Sequence, residues 1–305
     1  MSDASSEVED NGLFHEPEDF YEPEKQPTFE SHKLLSGREL NLRLVGHNPL
    51  WGHHLWNAGR VFANYLESHP STIASKTVLE LGAGAGLPSL MSAILGAEYV
   101  LVTDYPDADL IENLEFNIEE NCKGVADEST RTTSAVAGRE VSRIEARGYL
   151  WGANVEPLLS MLPSNKTSFT TTTTTTTESE TPQRKFDILI LADLLFNHSE
   201  HTRLLQTVQQ TLTRSEDARA LVFFTPYRPW LLEKDLSFFE LAASSGAAEN
   251  GDSSVDKGEE KDEGNAFVVE KIFEKVMDKV MFEEDRGDEL LRRTVYGYEL
   301  RWKHV

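Results

Sequence analysis

The chain has 305 residues, a single cysteine and a formal net charge of −23, length enough for one large domain or two small ones. One cysteine excludes an internal disulfide and fits a reducing compartment, with the cytoplasm expected. The acidic balance argues against binding along a nucleic-acid backbone, which needs clustered Lys and Arg, and the longest apolar stretch, near Ile188–Phe196, is broken by Asp193 and falls short of the about 20 apolar residues of a bilayer span.

Residues 1–30 hold ten acidic residues and one lysine. They lack a basic-then-apolar leader and read as a disordered acidic arm. Residues 58–68 (AGRVFANYLES) then carry helical spacing. TVLEL at 77–81 is a strand, and 86–95 is a helix opened by glycines. YVLVTD at 99–104 is the next strand, followed by a helix at 107–121. ARGYLWG at 146–152 ends a third strand. FDILILAD at 186–193 is a nearly unbroken apolar run, the composition of a central parallel strand buried on both faces. A helix at 199–213, a strand at 219–226 and a helix at 229–243 follow. FVVEKIFEKVM at 267–277 and RTVYGYELRW at 293–302 read as two closing strands paired antiparallel.

Three stretches have little to bury: 123–140, the threonine-rich 163–185, and 244–266 with seven acidic and two basic residues. They read as surface insertions. The last suits solubility or steering of a basic protein partner. The alternation of strand and helix predicts an α/β fold over 31–305 as a single domain. Its Rossmann-like, seven-strand sheet is mostly parallel with an antiparallel edge, and helices cover both faces.

In such a sheet ligands lie outside the carboxyl ends of the strands. Glu80, Gly82, Gly84 and Gly86 end the first strand there, Asp104 the second, Trp151 the third, Ala192, Asp193 and Phe196 the fourth, and Pro226 and Tyr227 the fifth. The glycines let backbone approach a ligand and turn into a helix. Asp104 stands where a carboxylate accepts both hydroxyls of an unmodified ribose, although it also suits a helix cap. The pattern E-L-G-A-G-A-G differs from the G-x-G-x-x-G that seats a pyrophosphate on a helix N-terminus. Glu80 beside it repels a diphosphate and suits a cation. S-adenosyl-L-methionine, with a ribose, a sulfonium and no phosphate, fits these features; a dinucleotide-dependent oxidoreductase does not. His47, His53 and His54 lack metal-ligand spacing, so no metal is expected. Trp51 and Trp230 read as core or surface residues.

LWNAGR, VLELGAGAGLPSL, VTDYPDADLIENLEFNI, GYLWGANVEPLL, FDILILADLLFNHSEH and VFFTPYRP together resemble the seven-strand methyltransferases related to nicotinamide N-methyltransferase. The likeness spans most of 13–122, 144–162, 185–243 and 267–302. It is strongest to a fungal branch that methylates translation elongation factor 1-alpha at its N-terminal glycine and the adjacent lysine. The resemblance implies that Trp56 packs beside the cofactor, that Gly82, Ala83 and Gly84 pass its methionine portion, that Asp104 binds the ribose, that Trp151 contacts the adenine, and that Ala192 lines the site through its backbone.

A related lysine-methylating group carries D-x-x-Y where this chain has Asp193 and Phe196. Asp193 is expected to hold or deprotonate the incoming amine, with capping of a helix as the structural alternative. Phe196 and Tyr227 are expected to form an aromatic wall that tolerates methylated cations. A small-amine methyltransferase and a lysine-only enzyme remain alternative readings. A monomer is expected, since the sequence holds no strong extra apolar stripe.

Overall fold

The computed structural model of the chain describes residues 26–46, 48–49, 51–122, 143–163, 184–244 and 266–305. Two strands come first, β1 (Thr28–Lys33) and β2 (Glu39–Leu44), paired antiparallel as a hairpin. Then follow α1 (Asn57–Ser68), β3 (Thr77–Leu81), α2 (Leu87–Ile94), β4 (Tyr99–Asp104), α3 (Ala108–Cys122), β5 (Arg143–Gly148) and the short α4 (Glu156–Leu159). The second half holds β6 (Ile188–Ala192), α5 (His201–Thr211), β7 (Arg219–Phe224), α6 (Leu232–Ala243), β8 (Phe267–Val276), the single turn α7 (Glu289–Arg292) and β9 (Thr294–Trp302).

Among the described residues, seven strands form one sheet in the order β5-β4-β3-β6-β7-β9-β8. The first five pair in parallel, and β9 runs antiparallel to both β7 and β8. This is the expected doubly covered sheet with its antiparallel edge. Side chains alternate across it as the pleat requires. Leu79 and Leu81 of β3 enter one core layer with Leu204 and Leu205 of α5 and Phe238 of α6. Val78 enters the opposite layer with Phe62 of α1 and Met91 of α2.

The hairpin was not expected from the sequence. It begins at Thr28, inside the span assigned to the acidic arm. The alternation Leu40, Leu42, Leu44 in ELNLRL is its signal: all three leucines are buried in the layer that holds α1 and α2. The rest of the acidic arm, and the three expected insertions apart from their edges, lie outside the described residues.

Three asparagines on one face of α3 tie this hairpin to the domain. Asn113, Asn117 and Asn121 recur every four residues, the spacing that stacks side chains along a helix. Asn121 Oδ1 accepts from the Asn41 N–H (3.1 Å) and its Nδ2 donates to the Asn41 carbonyl (2.8 Å). Asn117 does the same for Arg43 at 2.7 and 2.9 Å, and its Nδ2 also donates to the Ala85 carbonyl at 3.1 Å. The helix thus supplies the paired hydrogen bonds that a neighbouring strand would give β2, and Asn117 fastens the glycine-rich turn after β3 in the same step.

Asn117→Ala takes this partner from the Arg43 N–H and the Ala85 carbonyl, while the Arg43 carbonyl keeps Asn113 Nδ2 at 2.9 Å. Orphaned buried polar groups cost about 1–3 kcal/mol each, partly recovered by water, so the expected loss is about 2–3 kcal/mol of stability in urea unfolding. A change below about 0.5 kcal/mol would mean that the ladder does not hold the hairpin.

Candidate active site

From β3 the sheet grows outward in both directions, through β4 and β5 on one side and β6 and β7 on the other. The carboxyl ends of β3 and β6 therefore flank the crevice where such sheets bind ligands. A cavity of about 470 Å³ opens there, within the range of small-molecule sites. Trp56, Gly82, Ala83, Gly84, Asp104, Trp151, Ala192, Asp193 and Phe196 all line it. Tyr227, the remaining expected site residue, is not among the lining residues.

The glycine-rich turn forms the floor. Gly82 and Gly84 have φ of 61° and 57°, left-handed values that L side chains adopt at a cost. A Cβ on Gly82 would stand 2.7 Å from Leu194 and 3.0 Å from the Trp151 ring, so the turn and the tryptophan are in contact. A Cβ on Gly84 would meet nothing within 4 Å and would project into the cavity, which leaves the backbone there accessible to a ligand. Ala83 N–H donates to the Thr103 carbonyl at 3.0 Å, joining the turn to β4. Asp104 Oδ2 accepts from the Gly84 N–H (2.6 Å) and Oδ1 from the Tyr105 N–H (2.7 Å). Each oxygen keeps lone-pair capacity for a further donor, as a ribose diol requires. Burial holds the Asp104 carboxyl above its ordinary pKa, opposed by those two N–H groups.

Glu80 lies fully buried beneath the turn. Its Oε2 accepts from the Ser89 N–H in the first turn of α2 (2.9 Å), while Oε1 has no partner. Burial pushes its carboxyl up to about 8, against the lowering effect of Ser89. In the protein alone Glu80 is therefore largely protonated at neutral pH, rather than the standing negative charge that the sequence suggests. With Oε2 accepting from Ser89, the proton sits on the unpartnered Oε1, and a cationic group placed beside it would favour the ionised carboxylate instead. The Lys/Arg side chain among the described lining residues is Arg203, whose Nη1 already contacts both Glu200 oxygens at 3.0 Å. This set of donors and acceptors fits S-adenosylmethionine and gives little to a diphosphate.

Asp193 closes the other side. It is buried, with φ of 53°, a left-handed value that Asp tolerates better than most residues. Its Oδ1 accepts from the Thr225 N–H (2.8 Å), and Oδ2 from the Ala58 N–H (2.9 Å) and the Tyr227 hydroxyl (3.2 Å). Ala58 is in the first turn of α1, so Asp193 satisfies one of that helix's free N–H groups. Burial pushes the Asp193 carboxyl up to about 7, despite these three donors. Most of the accepting capacity of Asp193 is spent inside the protein, and the helix that it caps is α1 rather than the one following β6.

Tyr227 stands behind the cavity lining rather than on it. Its hydroxyl accepts from the Asn57 N–H (3.1 Å) while donating to Asp193. Burial, and then the Asp193 carboxylate, raise its pKa well above 10. Its ring packs against Trp56 at 5.1 Å between centroids, so it backs the wall and Trp56 faces the cavity. Trp51 and His54 also line the cavity, although the sequence marked neither as functional. Trp51 has φ of 65°, a strained value for a bulky residue, and its carbonyl accepts from Trp56 Nε1 at 3.2 Å. HNPLWGHHLW has no periodicity; its density of aromatic rings is the signal available.

A family model described as lysine methyltransferase matches residues 36–136. A protein N-terminal and lysine N-methyltransferase of Emericella nidulans is 44% identical over 95% of each chain. One from Aspergillus fumigatus is 45% identical over 95% of this chain and 93% of its own. One from Schizosaccharomyces pombe is 37% identical over 97% of each.

A folded-state pKa of about 8 for Glu80 lies above the ordinary glutamate value, so its contribution to stability is full below about 4.3 and is lost as pH rises through about 8. In cofactor-free protein, Glu80→Gln is expected to raise the melting temperature by several degrees at pH 8.5 relative to wild type, with the difference shrinking toward pH 5. Parallel melting curves across that range would show that Glu80 ionises in the fold at its ordinary pKa.

Proposed function

The chain belongs to the family of protein N-terminal and lysine N-methyltransferases, which are S-adenosylmethionine-dependent enzymes, and from that membership we propose that it methylates the N-terminal glycine and the adjacent lysine of translation elongation factor 1-alpha in the cytoplasm. The observation that carries this reading is the continuity of the site. The glycine turn with Asp104 and the rim formed by Trp51, Trp56 and Phe196 belong to one cavity. Trp51 and Phe196 on that rim are 49% and 39% exposed, which suits an extended protein end better than a small ring substrate sealed from water.

The bound cofactor supplies a methyl group activated by its sulfonium, so the protein chiefly aligns the partners and excludes water. Gly82, Ala83 and Gly84 would hold its methionine portion, Glu80 its cationic end, Asp104 the ribose and Trp151 the adenine. The incoming amine must be neutral to attack. An α-amine has a pKa of about 7.7–8.0 and a lysine about 10.4. At pH 7 deprotonation therefore costs about 1 kcal/mol for the first and about 4.6 kcal/mol for the second, at 1.36 kcal/mol per unit. The N-terminal amine is the easier nucleophile. Asp193, titrating near neutrality, takes up that proton, and through the Ala58 N–H and the Tyr227 hydroxyl it also holds α1 and the backing of Trp56 in place.

Asp193→Asn keeps the shape but sets an amide NH2 against donors that now point at a carboxylate. The expected result is a fall in kcat of about 100-fold or more, the scale of a lost general base, with S-adenosylmethionine affinity within about threefold. In wild type kcat/KM should rise with pH through about 7, and that limb should vanish in the variant. Full activity in Asp193→Asn would remove Asp193 from the chemistry. For the substrate, mass spectrometry of elongation factor 1-alpha from cells lacking this protein should show an unmethylated N-terminal peptide; an unchanged peptide would refute the assignment.

A further inference from the structure

Trp56 and Phe196 come from distant parts of the chain, one just before α1 and the other after β6. Their ring planes lie within 19° of each other with centroids 6.5 Å apart, and both line the cavity. An ammonium lying against these nearly parallel faces can come within the about 6 Å of both centroids over which a cation is attracted to an aromatic ring.

The pair is held from behind. Trp56 is fixed at its indole N–H by the Trp51 carbonyl (3.2 Å) and packed by Tyr227 at 5.1 Å. Phe282 meets it edge-on at 5.9 Å. Phe282 belongs to the connection between β8 and β9, and its ring also contacts His54 at 5.4 Å and Tyr227 at 5.9 Å. The Phe282 carbonyl accepts from Nη1 of the buried Arg292 at 2.8 Å. One residue of a long connection thus braces Trp56, His54 and Tyr227 together.

We propose that Trp56 and Phe196 form a recognition pair for methylated ammonium groups, with Phe282 as the residue that positions Trp56, so that a partly methylated amine stays in place for the next transfer. The inference rests on the amine-methylating reading above. In each round the amine first loses one proton, which Asp193 takes up and passes on to water. Its lone pair then forms an N–C bond as an S–C bond breaks, leaving a neutral thioether. Successive methyls remove the N–H groups by which a carboxylate would hold the amine, and Asp193 is already engaged by three internal donors. Aromatic faces need no N–H and attract the positive charge spread over the methyl groups.

The test uses the full chain with S-adenosylhomocysteine and peptides beginning Gly-Lys. In one the terminal nitrogen is trimethylated; in the other a neutral tert-butyl group replaces it. Fluorescence anisotropy should show the cationic peptide bound about five- to thirty-fold more tightly by wild type, the scale of a partly desolvated cation over aromatic rings. Phe196→Leu and Phe282→Leu should reduce that preference to about twofold or less, while Phe282→Tyr, which keeps the ring, preserves it. Equal binding of the two peptides by wild type, or a preference that survives Phe196→Leu, overturns the pair. An equal loss of S-adenosylhomocysteine affinity in Phe282→Leu assigns Phe282 to general packing and overturns its positioning role. A retained preference in a protein that does not methylate elongation factor 1-alpha would refute the substrate reading and leave the pair standing.

Discussion

Burying the Asp193 carboxylate joins parts of the chain that no covalent connection brings together. A charge in that position is costly unless donors surround it, and the donors come from three places: the Ala58 N–H at the start of α1, the Thr225 N–H beyond β7, and the Tyr227 hydroxyl. Satisfying the carboxylate therefore fixes the start of α1 against the ends of β6 and β7. Trp56 directly precedes that helix, and Phe196 follows Asp193 on the β6 loop, so the aromatic wall inherits its geometry from this one group. The left-handed backbone at Asp193 belongs to the same arrangement, since strain of this kind persists where the surroundings over-determine it.

On the cofactor side the equivalent constraint is carried by backbone. The Gly84 N–H is taken by Asp104, the Ala83 N–H by the Thr103 carbonyl, and the Ala85 carbonyl by Asn117. Asn117 also pairs with Arg43 of β2. The hairpin, α3 and the glycine turn are thus one hydrogen-bonded unit. The segment after the hairpin supplies Trp51 and His54 to the cavity wall. A peripheral two-stranded element, marginal on its own, becomes part of the site through three asparagine side chains.

Much of this was legible in the sequence. TVLEL, YVLVTD and FDILILAD are short apolar runs between turn signals, and each forms the strand that its composition suggests. The glycine spacing and Asp104 marked the cofactor edge because a strand-turn-helix with those residues has few alternative shapes. The hairpin was missed although ELNLRL alternates, because the acidic segment before it dominated the reading. Phe282 and Trp51 were missed for a different reason: neither lies in a periodic element, and an aromatic residue in an irregular loop reads the same whether it packs outward or into a site.

By itself the sequence determined the strands of the main sheet and the longer helices between them, their order, and the glycine-rich character of the turn after β3, because all of these follow from patterns within a window of some ten residues. The tertiary structure decided what the polar side chains do. Asp193 reaches Ala58 across 135 positions and Tyr227 across 34, and Asn121 reaches Asn41 across 80. Which group meets which depends on the order of strands in the sheet and on the side of it that each helix covers. A buried carboxylate shows in sequence only as an aspartate after a strand; whether it grips a substrate or fastens the fold depends on which donors the packed chain brings to it.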